Sequence, residues 1–488
     1  MNSAIICKDY ESIRTDMLHP GELSHAEREK LEKQFSIVIE NGQFRATRKV
    51  GVTEVEKLNG EKVTLRIEPR FPALDPLLML EELTRDEDFL AYAESGPEPL
   101  YAICTDRPPV KVEGHGTGEA LTALAFVMRL YELCRRQLKP RMTQLEENMT
   151  GKVKGKILFK QHVRLNVLRG MEHRVYCRYS LNTVDNIENR ILKAALRVAN
   201  RILSDFFRHN RKGAGALASR IAYCRHALRD VSERKIAMRD FAAVRTNGYY
   251  AYYKPSMALA RLILQRSYVG ARNDGQGRMY EVMPYWIDMQ QLFEVYIHSK
   301  LKELAKTGIV RSDIPYGIRI NAYGQAYPLT SNARGHGESE AALEVEGDHP
   351  LHIQNNIRPD FYLQITRKPA GENREETRTV VLDAKYKHAH RQNREDTLQI
   401  FAYAYLLKTD ALGFIFPQEA DKDGKPREHV TGTVRKHGAR YFELFLNIGD
   451  GSAGIVDAEA LVGYVIDRVF GLESPEPPKG ENSPAIPV

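Results

Sequence analysis

No phosphate-binding loop of the G-x-x-x-x-G-K-[ST] type occurs in the 488 residues, so any nucleotide-driven motor must come from another chain. Cysteines are few and far apart (Cys7, Cys104, Cys134, Cys177, Cys224), with no C-x-x-C pair. That argues against a zinc ribbon or a disulfide framework and fits a reducing cytoplasm. Neither a signal-peptide pattern nor a long apolar run is present, so a cytoplasmic protein without a membrane association is expected. Charge is also short of dictating a partner: a formal net charge of +7 permits a polyanion without demanding one.

What remains is an ordinary globular composition, 42% hydrophobic and 28% charged, on a chain long enough for two or three domains. Residues 1–30 are polar and mixed, a lead-in with one short helix. Strand signals follow at 34–39, 44–52 and 63–67, punctuated by Asn41-Gly42 and Asn59-Gly60, dipeptides that tolerate positive φ and favour hairpins. A small antiparallel sheet or part of a barrel is expected, giving a β-rich N-terminal domain over 1–110.

From 76 to 90 the pattern is helical and acidic, and a longer helix is predicted over 119–137 with Leu121, Leu124, Ala125, Met128, Leu130 and Leu133 on its apolar side. Strands are expected at 152–160 and 175–179. Asp185 reads as the cap of a helix running to about 207, with Glu188 at the capping-box position. Arg201, Arg208, Arg211, Lys212, Arg220, Arg225, Arg229, Arg234, Lys235 and Arg239 then follow on predicted helices. Such a run is a solvated face, a stripe for DNA phosphates, or a surface for an acidic partner. Tyr249, Tyr250, Tyr252 and Tyr253 are placed at a domain junction, before a helix at 257–265. A mainly helical middle region over 111–272 closes at the polar, glycine-bearing loop 270–277.

A third domain is expected over 278–472. A helix from near Tyr285 to Ala305 carries Glu294 among apolar positions. After a polar insertion at 329–350 come two short strands, Ile357-Arg358-Pro359-Asp360-Phe361-Tyr362-Leu363 and Val380-Val381-Leu382-Asp383-Ala384-Lys385-Tyr386-Lys387, separated by a charged tip at 368–378. Residues i and i+2 of a strand share a face, so Asp383 and Lys385 should project together. Asp360 reaches the same place if the two strands are neighbours. Two carboxylates and an ammonium so placed suit a divalent metal and the activation of water against a phosphodiester. A lone D-x-K is weak evidence, since such residues are common at strand ends. A helix at 394–408 puts Gln399 and Tyr403 one turn apart on one face. Strands at 412–416, 429–435 and 440–446, a helix at 458–470 and a proline-rich, disordered tail at 473–488 complete the chain.

The order helix, acidic strands, helix, strand, with Pro359-Asp360, Asp383-x-Lys385 and Gln399-x-x-x-Tyr403, resembles the PD-(D/E)xK nuclease superfamily. Upstream, Gly155-Lys156-Ile157, Asp185-x-x-Glu188-Asn189-Arg190-Ile191-Leu192-Lys193-Ala194-Ala195-Leu196, Met289-Gln290-Gln291-Leu292-Phe293-Glu294-x-Tyr296 and Ile67-Glu68-Pro69-Arg70 are similar to segments of McrC proteins, as is Asp383-Ala384-Lys385-Tyr386. The resemblance runs from about 35 to 470; residues 1–30 and 329–350 fall outside it. It implies an α+β or α/β multidomain chain whose C-terminal domain is a restriction-endonuclease-like mixed sheet flanked by helices.

It further implies the nuclease subunit of a McrBC-type, GTP-dependent restriction system for defence against foreign DNA. The partner would be a McrB-like AAA+ GTPase hexamer, engaged by the N-terminal half and stimulated by it. The substrate would be double-stranded DNA, methylated where the partner recognises modified cytosine. Asp360, Asp383 and the Ala384 carbonyl would bind Mg2+, with Mn2+ as a substitute, and Lys385 would orient or activate water. Glu294 would hold a second metal or a metal-bound water, while Gln399 and Tyr403 would contact the backbone or brace the strand. Arg225, Arg229 and Lys387 are the candidates for nucleic-acid contact. Two other readings stay open: a ring-activating adaptor with a weak nuclease, and a related nuclease acting on RNA or structured DNA.

Overall fold

The computed structural model describes residues 4–72, 74–94, 99–105, 107–113, 116–209, 215–269, 279–311, 313–328, 330–331, 343–344, 356–368, 375–418, 428–434, 438–447 and 458–472. The loop 270–277 and the tail 473–488 lie outside them, as do most of the insertion 329–350 and of the tip 368–378. Helices and strands are mixed throughout, and no helix among the described residues is long and apolar enough to cross a membrane.

Two compact units emerge: Met1–Ala102 together with Trp286–Val488, and Ile103–Tyr285. The N-terminal residues thus share a unit with the C-terminal ones, and the cause is a strand. Tyr285–Asp288, where a helix start was expected, is fully buried and joins the N-terminal sheet between Lys49–Glu56 and Tyr101–Ile103. Ala4–Lys8 and Lys62–Glu68 complete that sheet, parallel to each other. Asp288 then ends the strand and caps the helix Met289–Thr307, its carboxylate accepting from the Gln291 N–H at 3.1 Å.

The expected strand at 34–39 is also corrected. Leu31 and Phe35, one turn apart, bury the apolar side of a helix, His25–Phe35, which Ser36 stops in a left-handed conformation. Only Val38–Glu40 is strand, paired across the Asn41-Gly42 turn with Gln43–Arg45.

The second sheet of this unit has seven strands in the order Ile309–Arg311, Ile314–Ile320, Phe361–Arg367, Glu376–Ala384, Ala411–Gln418, Arg440–Asn447, Val430–Thr433. The first four pair antiparallel; Ala411–Gln418 runs parallel to both of its neighbours. A parallel step needs a crossover, which the helix Arg394–Leu406 supplies. Centrally placed strands are covered on both faces, which is why Val380-Val381-Leu382 is continuously apolar and buried. Gly413 is required by close approach: a Cβ there would lie 2.3 Å from the Phe442 carbonyl oxygen.

The unit Ile103–Tyr285 packs the helices Thr117–Arg136, Ile187–His209, Gly215–Ala227 and Lys254–Val269. It also holds a ten-residue antiparallel pair, Arg141–Thr150 with Arg174–Thr183, the second of which contains the strand expected at 175–179. Arg141–Thr150 is the unexpected partner: it is largely exposed and carries no apolar alternation to read. The strand expected at 152–160 shrinks to Lys156–Ile157, and Phe159 already opens a helix, Phe159–Leu165. Asp185 is not the cap of Ile187–His209: Asn186 is, its Oδ1 accepting from the Asn189 N–H at 2.9 Å.

Candidate active site

Pairing of Phe361–Arg367 with Glu376–Ala384 sets Phe361 against Leu382, and one step further the register sets Asp360 opposite Asp383. The Asp360 Oδ2 accepts the Ala384 N–H at 2.8 Å, fixing its carboxylate against the end of the neighbouring strand. Behind it, Asn321 holds the turn. Its Oδ1 accepts from Tyr362 N–H at 2.8 Å, its Nδ2 lies 3.3 Å from the Pro359 carbonyl, and its own carbonyl meets the buried His298 Nε2 at 2.8 Å.

Asp383 is 3% exposed and forms an ion pair of 2.6 Å with Lys385. The Lys385 N–H donates to the Ile415 carbonyl at 2.9 Å, continuing the parallel ladder past the strand end. Its ammonium also lies 3.5 Å from Asp396, which pairs with Lys387 as well. Asp396 stands at the third position of Arg394–Leu406 in a reciprocal cap with Asn393, at 2.9 and 3.2 Å. On the same helix, Gln399 Nε2 donates to Tyr403 Oη at 2.8 Å.

The acids are short of compensating charge. Asp360 is partly exposed yet densely enclosed; burial pushes its carboxyl well above the carboxylate range, and Asp383 and Glu294 add to this against the Ala384 N–H and Lys385. Asp383 is raised by burial despite its bonds to Lys385 and Asp360. Glu294 is pushed up to about 7, first by burial and then by the charge of Asp383, against a hydrogen bond with Tyr323 and the pull of Lys385. Burial pulls the Lys385 ammonium down, but Asp383, Asp360 and Asp396 leave it raised. Tyr403 is raised by burial, and by Asp383 and Asp360, against its bond with Gln399.

The structure therefore brings Asp360, Asp383, Lys385 and Glu294 into one electrostatically linked group, with the Gln399–Tyr403 pair beside it and the Ala384 backbone within it. Lys387 is held by Asp396 at its edge. Arg225 and Arg229 belong to the other unit; both are exposed, and Arg229 lies 3.5 Å from Asp230 and 3.1 Å from His226. Arg220, from the same basic run, is instead buried with its guanidinium 4.4 Å from the Tyr131 ring centre.

Three members of this neighbourhood escaped the sequence reading. Tyr323, bonded to Glu294, and Asn321 sit in an irregular stretch with no periodicity to flag them. Asp396 carried a signal, since Asn393-x-x-Asp396 is a capping box, but only of a helix start.

Hard carboxylate oxygens around one ammonium are the donor chemistry of a magnesium or manganese site. Among the described residues no group of three or more His, Cys, Asp or Glu side chains is arranged for a metal ion. The two opposed aspartates and the adjoining backbone carbonyl fit a hard cation with water filling the other positions.

Residues 118–417, more than half of the chain, match the model of a family described as McrBC 5-methylcytosine restriction system component. No curated protein matches. Among solved structures, a refined half-complex from the tetradecameric assembly of Thermococcus gammatolerans McrB AAA+ hexamers with bound McrC is similar at 13% identity. The likeness covers 96% of this chain and 100% of that one, with a TM-score of 0.39. The cryo-EM structure of the Thermococcus gammatolerans McrBC complex is similar at 15% identity over 62% of this chain and 87% of that one, with a TM-score of 0.28. At such scores the description of the fold rests on the elements above alone.

Proposed function

The chain belongs to the McrBC 5-methylcytosine restriction system component family, and from that premise we propose that it is the nuclease subunit of such a system. In this reading it is a McrC-like, magnesium-dependent endonuclease of the PD-(D/E)xK type. It cuts double-stranded DNA and stimulates NTP hydrolysis by a McrB-like AAA+ ring. The observation that carries the reading is the opposition of Asp360 and Asp383 across an antiparallel pair, with Lys385 2.6 Å from Asp383 and Glu294 close enough to feel the charge of Asp383. Acids that raise one another's proton affinity against one ammonium are in the condition a divalent cation relieves.

Asp360, Asp383 and the Ala384 carbonyl would hold the metal, and Glu294 would hold a second one or a metal-bound water. A bound magnesium ion supplies activation of water at neutral pH and neutralises charge on the attacked phosphate. The chain's own part is placement. The Ala384 N–H fixes the Asp360 carboxylate at the end of the neighbouring strand. Asp383 and Asp396 hold the Lys385 Nζ, which keeps its proton and directs it at the attacking oxygen or the phosphate. Tyr403, tied to Gln399, walls the acids on the helix side.

Asp383→Ala and Lys385→Ala proteins, assayed with the partner ring, NTP, magnesium and DNA, test this. Cleavage should fall by roughly 10²–10⁴-fold, the range for a lost proton-handling or charge-stabilising group, while stimulation of NTP hydrolysis persists. Undiminished cleavage by both proteins would overturn the reading. Methylated DNA, unmodified DNA and RNA compared side by side identify the substrate.

A further inference from the structure

The run Ile67-Glu68-Pro69-Arg70 closes a strand of the N-terminal sheet and contributes nothing to the acid–lysine group itself. Arg70 is nonetheless enclosed, its side chain 9% exposed. Its backbone N–H donates to the fully buried Asp9 carboxylate at 2.6 Å, and its Nε lies 3.5 Å from the other oxygen. The guanidinium stands 3.6 Å from the centre of the Tyr10 ring and 5.1 Å from that of Tyr386.

Tyr386 is the residue after Lys385. It is 4% exposed, packs edge-on against Phe71 at 5.3 Å and meets Phe293 at a tilt at 5.9 Å. Phe293 is the residue before Glu294. Phe71 also meets His388, two residues beyond Tyr386, at 4.8 Å. A second tie runs to the same helix: Tyr10 Oη donates to Gln290 Oε1 at 3.1 Å, one turn before Glu294. The chain neighbour of Lys385, Tyr386, is thus wedged against residues 70–71, and the neighbour of Glu294, Phe293, packs on that same Tyr386 ring.

We propose that Arg70, Phe71 and Tyr386 are positioning residues for the cleavage reaction: the end of the N-terminal sheet clamps the segment that carries Lys385 and the helix that carries Glu294, and so sets their separation. The inference rests on the nuclease reading and adds the source of the site's geometry. Close packing makes the contact stiff, and a misplacement of about 1 Å at a reacting group costs on the order of 10²-fold in rate. Tyr386 acts through its ring, because its hydroxyl lies beside Asp9 and the Phe71 backbone without reaching hydrogen-bond geometry to either.

The test uses full-length protein with partner ring, NTP, magnesium and DNA, comparing Tyr386→Leu, Arg70→Met, Phe71→Leu and Tyr386→Phe with Asp383→Ala. Tyr386→Leu and Arg70→Met should lower kcat by about tenfold or more, with KM for DNA and NTPase stimulation unchanged. Tyr386→Phe, which keeps the ring, should recover most of that rate. Should Tyr386→Leu fail to fold, as read by thermal melting, Arg70→Met and Phe71→Leu decide in its place. Wild-type kcat in folded variants, with Asp383→Ala inactive, overturns the clamp and leaves the nuclease reading standing. A kcat loss matched by an equal loss of NTPase stimulation is a general defect and also overturns it. Full activity of Asp383→Ala would sink the nuclease reading and the clamp with it.

Discussion

Two groups of enclosed acids, one in each unit, show what distinguishes a structural carboxylate from an available one. At the head of Ile187–His209, Asp185 accepts from Arg190 at 2.7 and 2.8 Å and from the backbone and hydroxyl of Ser232, both at 3.0 Å. Those bonds hold it well below the usual carboxylate range, the Arg190 contact leading and burial opposing. Asp185 is partly exposed; its neighbour Glu188 is buried and accepts from Lys139 at 2.6 Å and from the Arg245 N–H at 2.9 Å. Asp360, Asp383 and Glu294 share one lysine and are all pushed upward. Asp185 and Glu188 are answered by the protein's own donors; the other acids share a single ammonium among them.

The sharpest way to break this contrast is to exchange the roles. Asp360→Asn should reduce cleavage by roughly 10²–10⁴-fold while leaving the metal-free melting temperature unchanged or higher, because a repelling buried charge is gone. A melting temperature that falls as far as that of an Asp185 variant would erase the distinction.

Asp185→Ala should do the reverse, lowering stability by about 2 kcal/mol through lost charge-assisted bonds, seen as an earlier urea midpoint of the middle unit. Cleavage per folded molecule should be retained.

The sign of the pH dependence separates raised from lowered acids again. Asp185 has a lowered folded pKa, so its contribution is present above its unfolded value of 3.8 and is lost as pH falls through the folded one. Asp9, pushed from 3.8 to about 6 by burial against the pull of Arg70, behaves oppositely: its contribution is complete below 3.8 and is lost as pH rises through about 6. Thermal melts of metal-free protein should flatten between pH 3.8 and about 6 in Asp9→Asn, and below 3.8 in Asp185→Asn.

The smallest effect is expected from the exposed arginines. Arg225→Glu with Arg229→Glu should weaken DNA binding and reduce the salt slope by roughly 0.9 per lost phosphate contact. Unchanged binding with reduced NTPase stimulation assigns the surface to the partner.

Much of the C-terminal sheet was legible because its signals are local. The Asp383-x-Lys385 spacing, the apolar run before it and the one-turn step from Gln399 to Tyr403 depend only on period; the structure puts the run and Asp383 on Glu376–Ala384, Lys385 one residue past its end, and Gln399 and Tyr403 on Arg394–Leu406. Local signals misled where two readings shared them. Gln34-Phe35 continues a helix through Leu31, and Tyr285-Trp286-Ile287, apolar throughout, fits a buried strand as well as a helix. Arg141–Thr150 had no pattern to read, since an exposed strand needs no apolar face, whereas its partner Arg174–Thr183 contains the strand expected at 175–179.

By itself, then, the sequence determined which residues bring acid and base chemistry and which faces they share along one strand or helix turn. Tertiary structure alone decided which of those charges are answered. Arg190 is five residues from Asp185, but Ser232, Asp396, Arg70 and Phe71 reach their partners through space, across stretches of chain that no periodicity spans. A carboxylate's proton affinity depends on the distances to charges and donors around it. Those distances exist only after the sheets have closed.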